Sequence, residues 1–145
     1  MYYPPAGGAD FWVVWNTLGV AQAIEKNDPK IAIALSAALG VESALINGPV
    51  KSMFKRSRPV QDAPRPFNLR QPKTSSFPSG HASAAMVAAA MLSRNGGGAA
   101  WHALAGLVAT SRIHVRIHHA SDVAGGLAAG ALLGTVARRV ADALT

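Results

Sequence analysis

The sequence predicts an all-α fold: a compact, membrane-embedded bundle of about four to five helices with a polar site at one end. Half of the 145 residues are apolar but only 6% are aromatic, and alanine and glycine dominate. Such a composition suits helices that pack closely through small side chains, as membrane bundles do. Apolar segments of helical length alternate with short polar breaks, and most of the polar chemistry is confined to three of these breaks.

The first elements are a tail and a short apolar helix. Residues 1–9 are rich in proline and glycine and are expected to be irregular. Residues 11–24 are apolar but short for a full membrane span. This segment carries Trp12 and Trp15, and tryptophan is favoured at membrane interfaces, so the helix is expected to lie there.

The next segment has the length of a transmembrane helix. Pro29 suits the first turn of a new helix. Residues 31–50 then form a run of twenty residues that contains a single charge, Glu42. About twenty apolar residues span a bilayer core. An acid inside a span is a functional hypothesis by default, and a hydrogen bond to a neighbouring helix explains it equally well.

A loop and three further helices complete the predicted bundle. Residues 55–78 are rich in proline and basic residues without an apolar period, which predicts a loop. Residues 80–93 form a helix that stops at the sequence Asn-Gly-Gly-Gly. Residues 99–112 and 123–137 are two more apolar helices. A soluble all-helical core is the alternative, because no charge-free stretch is both long and strongly hydrophobic.

Alternation of helix direction predicts where the charges lie. Successive antiparallel helices place the chain near Lys51, Ser79, Arg112 and Asp122 on one side of the bundle. The opposite side then carries a second set of basic residues: Lys26, Lys30, Arg94, Arg138 and Arg139. We expect this far side to be cytoplasmic and the site to face outward, since positive charge favours the cytoplasmic side.

Charge and cysteine content narrow the class of partner. The formal net charge is +7, which favours an anionic partner. Nucleic acid is the weaker choice because the arginines do not form a stripe with interleaved aromatic residues. The chain has no cysteine, which excludes disulfides and thiolate metal sites. The N-terminus lacks the basic region of a secretory signal.

A helix begins after the sequence Pro-Ser-Gly-His, and helix starts attract anions. Free backbone N–H groups and the positive end of the helix dipole point outward there. Ser79 has no Glu or Gln three residues later to form a capping box, and Gly80 permits close approach of an anion. A simple serine N-cap is the ordinary alternative.

Basic and imidazole side chains supply the remaining chemistry. Lys51, Arg58 and Arg112 add positive charge around an anion at this helix start. His118 and Asp122 are four residues apart and would face one another on a helical turn. A carboxylate on one imidazole nitrogen leaves the other available as a nucleophile. The other basic and imidazole residues are given ordinary roles. Lys55, Arg56 and Arg116 are interpreted as basic residues at helix ends, and His114, His119 and, on the opposite side, His102 as structural or surface histidines.

The site needs a further group besides His118 and Asp122, and the sequence offers either a second histidine or a bound metal. His81 is placed to protonate a leaving oxygen as a general acid. Alternatively, the histidine and carboxylate cluster could hold zinc. The surrounding arginines would repel a cation, so phosphate is the preferred ligand.

Three sequence motifs together resemble a known family. They are Lys51-x6-Arg58-Pro59, Pro78-Ser79-Gly80-His81, and Ser111-Arg112-x5-His118-x3-Asp122. Their order and spacing are similar to the three-part signature of the type 2 phosphatidic acid phosphatases (PAP2). That superfamily also includes bacterial acid phosphatases, undecaprenyl-diphosphate phosphatases and vanadium haloperoxidases. The resemblance spans about half of the chain and implies a single PAP2-like domain over residues 1–145.

The resemblance implies a role for each matching position. His118 would attack phosphorus and form a phosphohistidine, Asp122 would orient it, and His81 would protonate the leaving group and later activate water. The phosphoryl oxygens would be held by five residues: Lys51, Arg58, Ser79, Gly80 and Arg112. Neither a metal nor another cofactor is implied.

The expected activity is therefore metal-independent hydrolysis of a membrane lipid phosphate or diphosphate, of the phosphatidate or isoprenyl diphosphate type. The partners would be that lipid and the bilayer, and a homo-oligomer is compatible with the sequence. Membrane relatives commonly have six spans, whereas this chain offers about four and a short N-terminal helix. Two other functions were weighed: a vanadate-dependent haloperoxidase, and a non-catalytic protein that binds anionic lipid through its basic loop.

Overall fold

The computed structural model describes residues 8–60 and 74–144, and this part of the chain is helical without strands. Five helices carry the fold. They are α1 (Gly8–Lys26), α2 (Lys30–Leu45), α4 (Gly80–Leu92), α5 (Gly98–His114) and α6 (Ala120–Ala143), with a single turn, α3 (Lys51–Met53), after α2. The predicted all-α bundle of four to five helices is confirmed.

Helix α4 is the centre of the bundle, and the other four long helices pack around it. Its sequence is almost entirely small or apolar, and nine of its thirteen residues are buried. Ala85, Val87 and Leu92 have no exposed surface. Since alanine adds little side-chain bulk, neighbouring helices approach α4 on every side.

Helix α6 packs against α4 through a stripe of glycines, Gly126, Gly130 and Gly134, spaced four residues apart and all buried. A Cβ atom placed on Gly130 would lie 2.3 Å from the carbonyl oxygen of Ser83, so only glycine fits this contact. The close approach aligns the starts of both helices. There the Ser79 amide donates a hydrogen bond to the carbonyl oxygen of Asp122 at 2.9 Å.

Helix α1 is an integral part of the bundle. It packs against α2 and α4, and Trp15 is 1% exposed within the core. Trp12 is half-buried against the same cluster. An interfacial position for α1 stays a prediction, and the structure adds that one apolar face of this helix is buried inside the bundle. The helix also begins at Gly8, inside the predicted tail.

The predicted helix 31–50 is present but changes geometry near its end. After α2 the chain forms a wider π-helical turn, Ile46–Val50, with non-helical dihedrals at Gly48 (φ −91°, ψ −107°). Pro49 follows and cannot donate a backbone hydrogen bond, which favours such a break. The chain then resumes a helical turn at Lys51, the first basic residue of the candidate site.

The later helices run beyond their predicted limits. Gly96 and Gly97 adopt positive φ values of 107° and 69°, as the glycine-rich break requires. Helix α6 continues through Arg138 and Arg139 to Ala143 instead of ending at residue 137. Arginine is a good helix former, so a change from apolar to basic residues does not end a helix.

Two helical segments of the described chain are long and apolar enough to cross a membrane: Lys30–Met53 and Ala120–Ala143, each of 24 residues. The far end of the bundle carries the expected basic residues. Arg94 pairs there with Asp142 at 2.8 Å, and Arg138 contacts the Ser93 hydroxyl at 3.3 Å. The first and second sequence motifs meet the third at the opposite end.

Candidate active site

His118 lies in the short connection between α5 and α6, where it is 4% exposed. Its Nε2 atom is 3.4 Å from Nη1 of Arg58. The same Nη1 atom donates a hydrogen bond to the carbonyl oxygen of Ile117 at 2.9 Å. The guanidinium thus lies beside Nε2 of His118, the arrangement that the sequence predicts for a nucleophile next to a phosphate-binding cation.

Asp122 stands on the first turn of α6 and has no exposed surface. Its Oδ2 accepts hydrogen bonds from the Ser76 hydroxyl and from the backbone amide of His119, the latter at 2.8 Å. Its Oδ1 accepts a hydrogen bond from Nη1 of Arg56 at 2.9 Å. The buried carboxylate is therefore charge-paired and oriented from several directions, as burial of an ion requires.

His118 and Asp122 lie close together, as predicted, but they do not form a hydrogen bond. Nδ1 of His118 is 3.7 Å from Oδ2 of Asp122. Within the described chain the Ser76 backbone lies close enough to His118 to raise its pKa, but no hydrogen bond of standard geometry reaches Nδ1. His118 precedes the first residue of α6, Ala120, so the two side chains are not stacked on one regular helical turn. A shift of less than 1 Å would bring the two atoms to hydrogen-bonding distance.

Burial, together with the positive charges of Arg58 and Lys51, lowers the pKa of His118 from 6.5 to about 4, and the negative charge of Asp122 opposes this shift in part. The imidazole is therefore neutral at neutral pH. A neutral ring with its proton on the Asp122 side presents a lone pair at Nε2, next to Arg58. This is the state that a nucleophilic histidine needs.

The start of α4 forms a second wall of the site. Ser79 is buried, and its hydroxyl accepts the Ala82 amide at 3.4 Å, so the serine does serve as an N-cap. The Lys51 ammonium lies next to Gly80: a Cβ atom built on this glycine would be 3.6 Å from Nζ of Lys51. The same Nζ atom donates a hydrogen bond to the side-chain oxygen of Asn47 at 2.8 Å. The Lys51 ammonium therefore lies over the positive end of α4, where both favour an anion.

His81 follows on the first turn of α4 and is half-buried. Its ring stacks at a tilt against Phe11 of α1, with 4.8 Å between the ring centroids. Four charged or titratable side chains lie within electrostatic reach of it: Arg112, His118, Lys51 and Arg58. The two histidines of the predicted mechanism thus share one electropositive space.

Arg112 is half-buried in the last turn of α5, and its Nε donates to the Ser111 hydroxyl at 3.0 Å. Its charge is within reach of His81, which brings the third basic residue of the prediction to the same site. His114 and His102 are exposed. His102 is on the first turn of α5 and contacts the Gly98 carbonyl, away from the site as expected.

Sequence reasoning missed several residues of this site. Arg56 was given a surface role, which is wrong: it binds both Asp122 and the Ser121 hydroxyl, the latter at 2.8 Å. Ser76 and Phe11 were not singled out at all. No local pattern marks them, because each acts through a partner at least 46 residues away. Residues 61–73 of the predicted active-site loop lie outside the described part.

The donors required for the zinc alternative are not gathered. Among residues 8–60 and 74–144, no three histidine or carboxylate side chains come together as a candidate metal site.

Glu42, the acid in the α2 span, is 2% exposed. Its polar neighbour is the Ser83 side chain of α4, and Lys51 is within electrostatic reach, so a contact to a neighbouring helix accounts for this acid.

Comparisons with known proteins show what the chain is similar to. The family model of the PAP2 superfamily matches residues 30–145. A decaprenylphosphoryl-5-phosphoribose phosphatase occurs in two strains of Mycobacterium tuberculosis, CDC 1551 and H37Rv. It is 37% identical to this chain over 87 residues, which is 60% of this chain and 49% of the relative. The chain thus spans about half the length of these curated relatives.

A solved structure has the same fold. It is a transmembrane PAP2-type phosphatidylglycerolphosphate phosphatase from Bacillus subtilis, which superposes with a TM-score of 0.73 and 22% sequence identity. The match covers 96% of this chain and 72% of that one. The family match covers 116 consecutive residues, and all three sequence motifs lie within them. The chain belongs to the PAP2 superfamily.

Proposed function

We propose that this protein is an integral membrane phosphatase that hydrolyses a lipid phosphate or diphosphate without a metal ion. One observation carries the proposal. His118 presents Nε2 beside the Arg58 guanidinium, at the same end of the bundle where Lys51 lies over the start of α4. The site therefore combines a neutral nucleophile with fixed positive charge, which is what transfer of a phosphoryl group requires.

In the proposed first step, Nε2 of His118 attacks phosphorus, and the bond from phosphorus to the leaving oxygen breaks. Burial and the nearby charge of Arg112 lower the pKa of His81 to about 4 in the free site, so in this proposal His81 gains its proton when the anionic phosphate binds beside it. The leaving oxygen takes that proton from the His81 imidazolium, and a phosphohistidine forms. In the second step, His81 accepts a proton from water, whose oxygen attacks phosphorus and breaks the bond to nitrogen. Inorganic phosphate leaves and both imidazoles return to their initial states.

Charge stabilisation in both steps is assigned to residues around the start of α4. Lys51, Arg58 and Arg112 supply cations, and the backbone of Ser79 and Gly80 supplies the helix end. The Ser79 hydroxyl is occupied as a cap, which favours a backbone role for this residue. Since these groups already carry the charge that a metal would supply, the proposed chemistry needs no divalent cation.

A lipid substrate is supported by the two membrane-length helices, whose ends lie next to the site. Lys51 belongs to the first segment and Asp122 to the second, so a phosphate bound there would be near the membrane surface. The named relatives act on a decaprenylphosphoryl sugar phosphate and on phosphatidylglycerolphosphate. We propose the same broad class, a phosphorylated lipid, for this protein.

The direct test is phosphate release from a panel of lipid phosphates in detergent with EDTA present, using wild type and His118→Ala. We expect release by the wild type and none by the variant. Release only after addition of a divalent metal would contradict the proposed mechanism. Binding of anionic lipid without any turnover would instead favour a lipid-binding protein, and halide oxidation with added vanadate would favour a haloperoxidase.

A further inference from the structure

We infer that Arg56 is a positioning residue that fixes the Asp122 carboxylate for its work on His118. This inference rests on the proposed function. It assigns a role to a residue at one of the unspecified positions of the first motif, between Lys51 and Arg58.

The two carboxylate oxygens of Asp122 have different hydrogen-bond partners. Oδ2 faces His118 and already accepts hydrogen bonds from Ser76 and from the amide of His119. Oδ1 is bound by Arg56 at 2.9 Å. If Arg56 were absent, Oδ1 would lose its charged partner while Asp122 remained fully buried. The carboxylate would then be held only at Oδ2, by Ser76 and the His119 amide, and could tilt about that oxygen, which would change its geometry toward His118.

The orientation of the Asp122 carboxylate affects His118 because the two side chains are almost within hydrogen-bonding distance. Its Nδ1 is 3.7 Å from Oδ2, so the pair is close but not hydrogen-bonded. A small displacement completes the bond, whereas a tilt of the carboxylate about Oδ2 would change the angle of that bond. The proton on Nδ1 determines whether Nε2 has a free lone pair. Arg56 thus affects the nucleophile through Asp122 without touching it.

Arg56 is also anchored independently of Asp122. Its Nη1 contacts the Ser121 hydroxyl at 2.8 Å, its carbonyl oxygen accepts the Ser76 amide at 2.9 Å, and its amide donates to Ser75 at 3.3 Å. The side chain is 43% exposed, while the carboxylate is fully buried. The residue therefore joins the two loop segments that flank the site to the first turn of α6.

Two variants and a matched control test this role. Arg56→Ala removes the guanidinium, Arg56→Lys keeps the charge but not the planar donor group, and Lys55→Ala removes an equal charge from the adjacent exposed position. For Arg56→Ala we expect kcat to fall by roughly 10- to 100-fold, the usual loss when a supporting residue of a site is removed. Inhibition by inorganic phosphate should change little, because Arg58 and Lys51 remain. The kcat of Arg56→Lys should lie between those of wild type and Arg56→Ala, and the kcat of Lys55→Ala should equal that of wild type.

Chemical rescue separates positioning from folding. Added guanidinium ion should restore part of kcat to Arg56→Ala and none to Asp122→Ala, since in the second variant the carboxylate itself is missing. Parallel loss of turnover and of phosphate inhibition would overturn the inference, because it would mean that Arg56 only holds the loop that carries Arg58. Unchanged kcat in Arg56→Ala would overturn it as well.

An NMR titration of His118 keeps the inference testable if the proposed function fails. The groups that bear on His118 are Arg58, Lys51, Asp122 and the neighbouring His81. If the wild type releases no phosphate from any lipid, the proposed function is wrong, but the titration can still be recorded. We expect Arg56→Ala to shift the His118 midpoint and Lys55→Ala to leave it unchanged. An identical midpoint in wild type and Arg56→Ala would refute the coupling.

Discussion

At the scale of single residues, Asp122 is the most connected member of the site. It binds three side-chain or backbone donors and approaches His118, although nothing of it is exposed. The spacing of His118 and Asp122 in the sequence was enough to predict their proximity. The spacing could not predict Arg56 and Ser76, because a hydrogen bond across 46 or 66 residues leaves no local pattern.

The lowered pKa of His118 gives a prediction for pH dependence. In the unfolded chain the group titrates near 6.5, and in the folded protein near 4. The folded state therefore binds fewer protons than the unfolded state between these two values. Its contribution to the free energy of unfolding is highest above about pH 6.5 and declines as the pH falls toward 4.

The measurement is an NMR titration of the histidine ring protons in detergent micelles, with His118→Ala to assign the resonance. We expect the resonance that is missing from the variant to titrate near pH 4, and the His81 resonance, which the variant retains, to titrate in the same range. A His118 midpoint close to 6.5 would contradict the buried, neutral nucleophile.

At the scale of elements, the contact between α4 and α6 sets the site. The glycines of α6 allow its backbone to approach that of α4, and this contact aligns Ser79 with Asp122. The sequence predicted both helices from their apolar runs. It did not predict the glycine contact, since a stripe of glycines in an alanine-rich chain does not identify its partner helix.

Gly130→Ala should destabilise the protein. The added methyl group would meet backbone atoms of Ser83 at 2.3 Å and 2.8 Å, which cannot move aside as a flexible side chain would. Overpacking of this kind costs about 1–3 kcal/mol. We expect a lower midpoint of thermal unfolding in detergent, together with reduced activity because the two helix starts separate.

Gly106→Ala is the matched control in α5. A Cβ atom there meets nothing within 4 Å, and the position is inside a helix. Replacement of glycine by alanine at such a site stabilises a helix by roughly 0.5–1 kcal/mol. If Gly130→Ala unfolded at the same temperature as Gly106→Ala, the close α4–α6 contact would be wrong.

At the scale of the whole molecule, the alternating helices separate two polar ends. Helix lengths and charge patterns were sufficient to predict this arrangement, because an antiparallel bundle with short connections has few ways to fold. The burial of α1 was not predictable from its own composition. Its tryptophans suit an interface and a core equally well, and only the face offered by α2 and α4 decides between them.

We propose that the site end faces outward and the end near Arg139 faces the cytoplasm. The native chain has no cysteine, so single cysteines can be introduced for labelling. Ser57→Cys, on an exposed part of the site end, should react with a membrane-impermeant maleimide in intact cells. Arg139→Cys should react only after the membrane is permeabilised. The reverse pattern of labelling would show that the site faces the cytoplasm.

The central claim is that His118 becomes phosphorylated during turnover without a metal. The most direct measurement is rapid acid-free quenching of the enzyme with a lipid phosphate labelled with radioactive phosphorus, in EDTA. We expect protein-bound label that is stable to alkali and labile to acid, as a phosphoramidate is, in the wild type and absent from His118→Ala. Turnover that continues with no phosphorylated enzyme, or equal labelling of the two proteins, would contradict the account.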